Sequence, residues 1–161
     1  EFDALHENLK NILKSLPKKN LYYNDFIDAL TILMLFDGNP EKLNEFSISL
    51  YNIKKNNLDD ALLLLLELNK SKEQIIANLS SYYLGYVYIR LNDYSSAKEM
   101  LKSTSGHDIY SQICKLLYAE IEDYINNDIN SAIDIYLDFL NTFESSIYYE
   151  DVRLRLGEIV S

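Results

Sequence analysis

The stretch Asn92-Asp93-Tyr94-Ser95-Ser96-Ala97 decides how this chain is read, because its outline occurs three times. An apolar residue stands three places ahead of an alanine at Leu58 and Ala61, at Tyr94 and Ala97, and at Ile129 and Ala132, so the unit recurs every 35 to 36 residues. Another apolar residue follows each alanine by four, at Leu65, Leu101 and Tyr136. Such offsets place all three side chains on one face of a helix. A second helical pattern precedes each unit, joined to it by a short polar link: Asn56-Asn57, Asn92-Asp93 or Asn126-Asn127-Asp128. Links this short make consecutive helices antiparallel neighbours. Helix pairs at a fixed period predict a right-handed solenoid, in which each pair buries its apolar face on the next.

The spacing predicts pairs at about 40–55 and 58–69, 75–91 and 94–103, and 109–126 and 129–142, followed by a single helix at about 147–160. Residues 61–66 form an unbroken apolar run, which reads as a helix buried on more than one face. Ahead of the array, Phe2, Leu5, Leu9, Ile12, Leu13 and Leu16 repeat at helical spacing, and Pro17 ends that helix. A second helix is expected from about Asn24 to Phe36, capped by Asn24 or Asp25. Its apolar residues nearly encircle it, so it should be buried on most sides. Asp37-Gly38-Asn39-Pro40 then breaks the chain, with Gly38 closing one helix, Asn39 capping the next and Pro40 in its first turn. The organisation expected is an N-terminal helical hairpin over 1–38, then three helix pairs and a capping helix over 40–161. The hairpin, or a partner, should cover the stripe Leu43, Phe46, Leu50 and Ile53, which is too apolar to face water alone.

Composition agrees with an all-α chain. Glycine (4) and proline (2) are too scarce for a fold with many tight turns, while hydrophobic residues at 48% suffice for a continuous core. The net charge is −10 and uneven: residues 110–161 hold three Lys or Arg against ten Asp or Glu. An acidic surface repels phosphate, which argues against nucleic acid as a partner. No stretch approaches a membrane span of about 20 apolar residues. Cys114, the one cysteine, sits beside Ile113 on an apolar face and reads as a small buried hydrophobe. The chain opens at Glu1-Phe2, which reads as a processed form or an excised fragment.

The middle pair, through Leu84-Gly85, Tyr88, Asn92-Asp93-Tyr94, Ala97 and Leu101, resembles a tetratricopeptide repeat. The glycine and the alanine are the small residues that let two helices cross closely. The third pair keeps Ala119, Ile129, Ala132, Tyr136 and Phe139, with one extra residue in its turn and Glu144 where a repeat often has proline. The first pair keeps Ser49, Leu58, Ala61, Leu65 and Leu68. The resemblance implies an α-solenoid that binds a protein segment in its concave groove. Residues 118–121, 132–136 and 143–148 are similar to repeats of bacterial cell-envelope proteins. That likeness points to the cell envelope, with the cytoplasm as the other compartment.

Catalysis needs convergent polar groups, and the sequence offers few. His107 follows Gly106 beside Ser105 and Asp108, where it reads as part of a helix start; His6 reads as solvated. Neither a zinc set, nor a calcium loop, nor a phosphate loop appears. No catalytic, metal or cofactor site is therefore expected, and the chain reads as a non-enzyme. Glu120, Glu122 and Asp123 read as a solvated face. Tyr82, Tyr86 and Ile89 lie at helical spacing with Arg90 beside them. The resemblance places that stripe on the inner face, which tyrosine suits as an interface residue; the other reading packs it against a neighbouring helix. Glu120 and Asp123 would extend the groove and favour a basic ligand. Phe46, Leu50 and Tyr83 stand where chaperone-binding repeats carry a polar clamp, which argues against an acidic C-terminal tail as ligand. The expected function is a protein-binding scaffold. The alternative is a structural module of a larger or membrane-anchored protein, or a homodimerisation domain packing through its apolar N-terminal region.

Overall fold

The structure is a computed structural model that describes residues 2–161, with side chains from residue 4 onward. The expected contribution of the Phe2 side chain lies outside the described residues. Among the described residues the chain is helical and holds no strand. The elements are α1 (Phe2–Ser15), α2 (Tyr23–Leu35), α3 (Pro40–Lys55), α4 (Leu58–Asn69), α5 (Gln74–Arg90), α6 (Tyr94–Lys102), α7 (Ile109–Glu120), a π-helical turn (Ile121–Ile125), α8 (Ile129–Thr142) and α9 (Tyr149–Val160). None of these helices is long and apolar enough to cross a membrane. From α3 to α9, helices adjacent in sequence pack on one another, and α5 also packs on α7.

The repeat is visible in the backbone. The three links each place an asparagine in the left-handed region: Asn56 at φ 63°, Asn92 at 59° and Asn127 at 54°. Asparagine tolerates that region because its short polar side chain can bond locally. The residue after each has nearly the same conformation, with φ and ψ of −85° and 67° at Asn57, −91° and 74° at Asp93, and −89° and 77° at Asp128. Asp93 and Asp128 cap their helices by accepting from the backbone N–H of Ser96 and Ser131, each at 3.1 Å.

The third pair departs from the other two by one residue. The N–H of Asn57 donates to the carbonyl of Asn52, and that of Asp93 to Tyr88, both five residues back at 2.9 Å. The N–H of Asp128 donates to Glu122, six residues back, at 2.8 Å. The extra residue of the third turn is absorbed upstream of the link as the π turn, the usual form of a single insertion in an α-helix.

Small residues set the crossings. Gly85, in α5, lies against α6: a Cβ built there would sit 2.6 Å from Leu101 Cδ2. Ala97 and Ala119 are fully enclosed. Burial is continuous through clusters around Phe46, Leu65 and Leu84, around Ala97, Leu101, Cys114 and Ile121, and around Ala132, Phe139 and Val152. In α4 the apolar run buries Ala61 and Leu65 completely, yet Leu63 is 67% exposed.

The N-terminal hairpin differs from its expectation. Phe36 stacks on Phe46 at 5.3 Å, and Ile32 and Leu35 flank the same core. Phe46 and Ile53 are buried, and Leu43 and Leu50 half-buried. The docking is made by the end of α2, while α1 packs on α2. As a result α2 is not buried on most sides: Ile27, Ala29 and Met34 are exposed, because its early turns have α1 as their close neighbour. Asn24 and Asp25 fall inside its first turn and do not cap it; Asn20 Oδ1 instead accepts from the N–H of Tyr22 at 2.9 Å. Asn39 precedes Pro40 as expected, but its side chain makes no cap bond. The expected solvation of His6 is also corrected. Its Nε2 is enclosed and finds no hydrogen-bond partner among the described residues.

Candidate functional site

A groove of about 400 Å³ opens between α5, α7, α8 and α9. Two helices line it through the same offsets of three, four and seven residues. From α7 these are Ile113, Leu116, Leu117 and Glu120, and from the start of α9 they are Tyr148, Asp151, Val152 and Arg155. This is one face of a helix presented twice. Tyr82 enters from α5, Tyr136 from α8 and Tyr124 from the π turn. The groove therefore has aliphatic walls, four tyrosine rings, two carboxylates and one guanidinium.

The guanidinium is already committed. Arg155 donates from Nε to Asp123 Oδ2 at 2.8 Å and from Nη2 to Oδ1 at 2.9 Å. It also donates to Glu158 at 3.1 Å and lies 4.7 Å from the Tyr124 ring centroid. Tyr136 donates its hydroxyl to Asp123 Oδ2 at 3.1 Å. The Arg155 hydrogen bonds hold the Asp123 carboxyl below the usual carboxylate range, against the opposing effect of burial, and Tyr136 adds to them. Burial, reinforced by the Asp123 charge, pushes the Tyr136 phenol up.

Glu122 is similarly placed. Lys98 reaches it at 3.0 Å and Asn126 at 2.6 Å. Burial alone would raise its carboxyl, but the bonds from Asn126 and Lys98 outweigh that and lower it. Glu122 and Asp123 thus do not form the solvated face expected of them; they are 5% and 3% exposed. The wider π turn swings both carboxylates inward, where charges persist only when paired.

Glu120 is the exception in this group. No cation among the described residues pairs with it, and its carboxyl is pushed up, first by burial and then by the Asp123 charge. As a residue it is exposed at the groove rim, while its carboxyl is partly desolvated on the groove side and has no counter-charge there among the described residues.

The sequence-derived site residues separate into two groups. Tyr82 and Glu120 line the groove. Tyr82 is half-buried, its ring 4.9 Å from Tyr83, and burial pushes its phenol up. Tyr82 and Ile89 also pack against the cluster of Ala97, Leu101, Cys114 and Ile121, which is the helix-packing reading of the stripe. Tyr86 is 41% exposed, beside Arg90. Arg90 donates to the Ile53 carbonyl at 3.1 Å and to Asn56 Oδ1 at 2.6 Å, so it fastens α5 to the α3–α4 link. Asp123 lies inside, fully engaged with Arg155 and Tyr136. Sequence reasoning missed Tyr124, Tyr148, Asp151 and Arg155. The helical spacing of Tyr148, just ahead of α9, with Asp151 and Arg155 inside it was a usable signal, whereas Tyr124 depends on the π turn.

A second cavity, of about 460 Å³, lies among Lys102, Lys115, Asp138 and Phe143. Lys115 pairs with Asp138 and lies 5.6 Å from the Phe143 ring, while Lys102 sits 4.4 Å over Tyr118. Its one carboxylate is already paired with Lys115, so the smaller tyrosine groove is the stronger candidate. His107 packs its ring edge-on to Phe143 at 5.6 Å, and Asp108 caps α7 through the N–H groups of Tyr110 and Ser111. Cys114 is fully enclosed, and burial pushes its thiol up to about 12, which leaves it inert as a nucleophile. Among the described residues no three His, Cys, Asp or Glu side chains are grouped to hold a metal ion.

Compared with protein-family profiles, with curated proteins and with solved structures, the chain matches none.

Proposed function

We propose that this chain is a non-enzymatic interaction module. In this reading its helix pairs stack as a right-handed solenoid of tetratricopeptide type, and the tyrosine groove holds a segment of a partner protein. The recurrence of the left-handed asparagine at Asn56, Asn92 and Asn127 supports the repeat half of the reading. The binding half is carried by one observation: the groove presents tyrosine rings around an unpaired, partly desolvated carboxylate, Glu120. Tyrosine supplies apolar area and a polar tip at small entropic cost, and a desolvated charge favours an incoming counter-charge.

The test is capture of partners from an extract of the native host by tagged wild type, a Glu120→Lys/Tyr124→Ala variant and a Tyr86→Ala control. Helical content by circular dichroism must match in all three. Loss of a partner by the groove variant, with retention by the control, is expected. Retention of every partner by the groove variant would exclude the groove as the site. The exposed apolar side chains Leu21, Ile27 and Met34 favour a second reading, in which the module packs into a larger assembly through its N-terminal region.

A further inference from the structure

Residues 8–24 hold four lysines and no carboxylate, in a chain whose net charge is −10; Glu7 and Asp25 border the segment, and Lys10 pairs with Glu7 at 3.8 Å, which leaves Lys18 and Lys19 as the charges of the link. The segment covers most of α1 and the α1–α2 link. At the tip of that link stands Leu21, 83% exposed and the most exposed large hydrophobic side chain among the described residues. Tyr22 beside it is 60% exposed, and Lys18 and Lys19 precede it, both exposed. An apolar knob with two lysines behind it is a costly thing to leave in water without a receiving surface.

The tyrosine groove has the opposite character. It is aliphatic at its walls and acidic at its rim, where Glu120 and Asp151 stand. Asp123, beneath it, is neutralised by Arg155, so the local excess of negative charge belongs to those two carboxylates. We propose that the occupant of the groove is the α1–α2 tip of a second copy of this chain, with Leu21 seated against Leu116 and Leu117 and with Lys18 and Lys19 meeting Glu120 and Asp151. This rests on the reading of the groove as a docking site. A groove of about 400 Å³ has room for a loop tip with one or two large side chains. Charge complementarity fixes the orientation and speeds encounter. Glu120 gains the cation it lacks among the described residues. The contact joins two different surfaces, so reciprocal exchange closes a dimer and one-way exchange extends a chain. Either raises the mass above the monomer's 18.8 kDa.

The test is sedimentation velocity with light scattering from about 10 μM to about 1 mM, the range in which a surface of this kind would associate. Wild type should exceed 18.8 kDa as concentration rises. Leu21→Asp, Lys18→Glu/Lys19→Glu and Glu120→Lys/Asp151→Lys should each raise the dissociation constant about tenfold or more. All five positions are exposed, so each variant should keep wild-type helical content. Mixing the two charge-reversed variants should restore association, because the reversed tip then meets the reversed groove. A wild type that stays at monomer mass overturns the proposal, as do variants that keep the wild-type mass or charge-reversed variants that stay apart on mixing. A monomeric wild type that still loses an external partner on groove substitution sinks self-association alone and leaves the groove as a docking site. A monomer with no groove-dependent partner sinks both.

Discussion

Replacing Gly85 by leucine tests whether close crossing of α5 and α6 holds the array together. A Cβ at this position would lie 2.6 Å from Leu101 Cδ2, 2.8 Å from its Cγ and 3.3 Å from its Cδ1. Leu101 is 1% exposed and lines the cavity of about 460 Å³, the side toward which it can shift, while Leu84 and Val87 near the glycine are fully enclosed. Overpacking a filled core costs about 1–3 kcal/mol. Removing a helical glycine returns about 0.8–1.0 kcal/mol through propensity. Leucine carries three more carbons beyond the clashing Cβ, so the upper end of the cost governs and the net loss is about 2 kcal/mol. At this chain length that lowers Tm by about 4–8 °C. Leu101→Ala alone should cost about 2–5 kcal/mol by opening a cavity. In the double variant the new leucine fills that cavity. The combined loss should then fall short of the sum by at least about 1 kcal/mol, beyond the roughly 0.3–0.5 kcal/mol within which independent sites add. Urea denaturation of the four proteins, followed by circular dichroism, reads the cycle. A Gly85→Leu variant that melts with wild type, or a double variant that is simply additive, would refute the crossing as described.

Arg155→Ala should destabilise by about 3–5 kcal/mol, because it leaves Asp123 charged and enclosed without its bidentate partner; Arg155→Ala/Asp123→Asn should recover part of the loss in the same denaturation assay. The acid dependence has a definite sign. Asp123 and Glu122 have lowered folded-state values, so their contribution is fully present above the unfolded carboxylate range near pH 4 and is lost as pH falls through the folded values. Glu120 is raised and acts oppositely, with stability gained as pH falls through its folded value. Glu120→Gln should therefore raise Tm slightly at pH 7, by about 0.5 kcal/mol or less in stability, and the gain should vanish on acidification. An unchanged or lower Tm at pH 7 would contradict the unpaired state of that carboxylate.

The period of the three alanines was enough to place α3, α4 and α8 at the residues where the structure has them, and to set the others within a few residues. Local chemistry is the reason: apolar offsets define a helix face, and an asparagine that tolerates the left-handed region defines each link, whatever lies around them. The groove was only half legible. Tyr82 could be found by helical spacing together with the resemblance, and Glu120 as the acidic extension of the same groove. The roles of Arg90, Glu122, Asp123 and Arg155 could not, since an ion pair depends on which distant element comes within about 3 Å. Here one inserted residue made the difference. The extra position in the third turn was countable in the sequence, but its form, a π turn at Ile121–Ile125 packed on α8 and tied to α9 by the Arg155–Asp123 pair, was not. That turn buries two carboxylates expected in solvent and presents Tyr124 to the groove. The hairpin shows the same division. Its two helices are written in their apolar spacing, yet only the tertiary structure decides that α2 docks through Phe36 while Leu21 and its lysines are left facing water, because burial is a property of the neighbours and not of the residue.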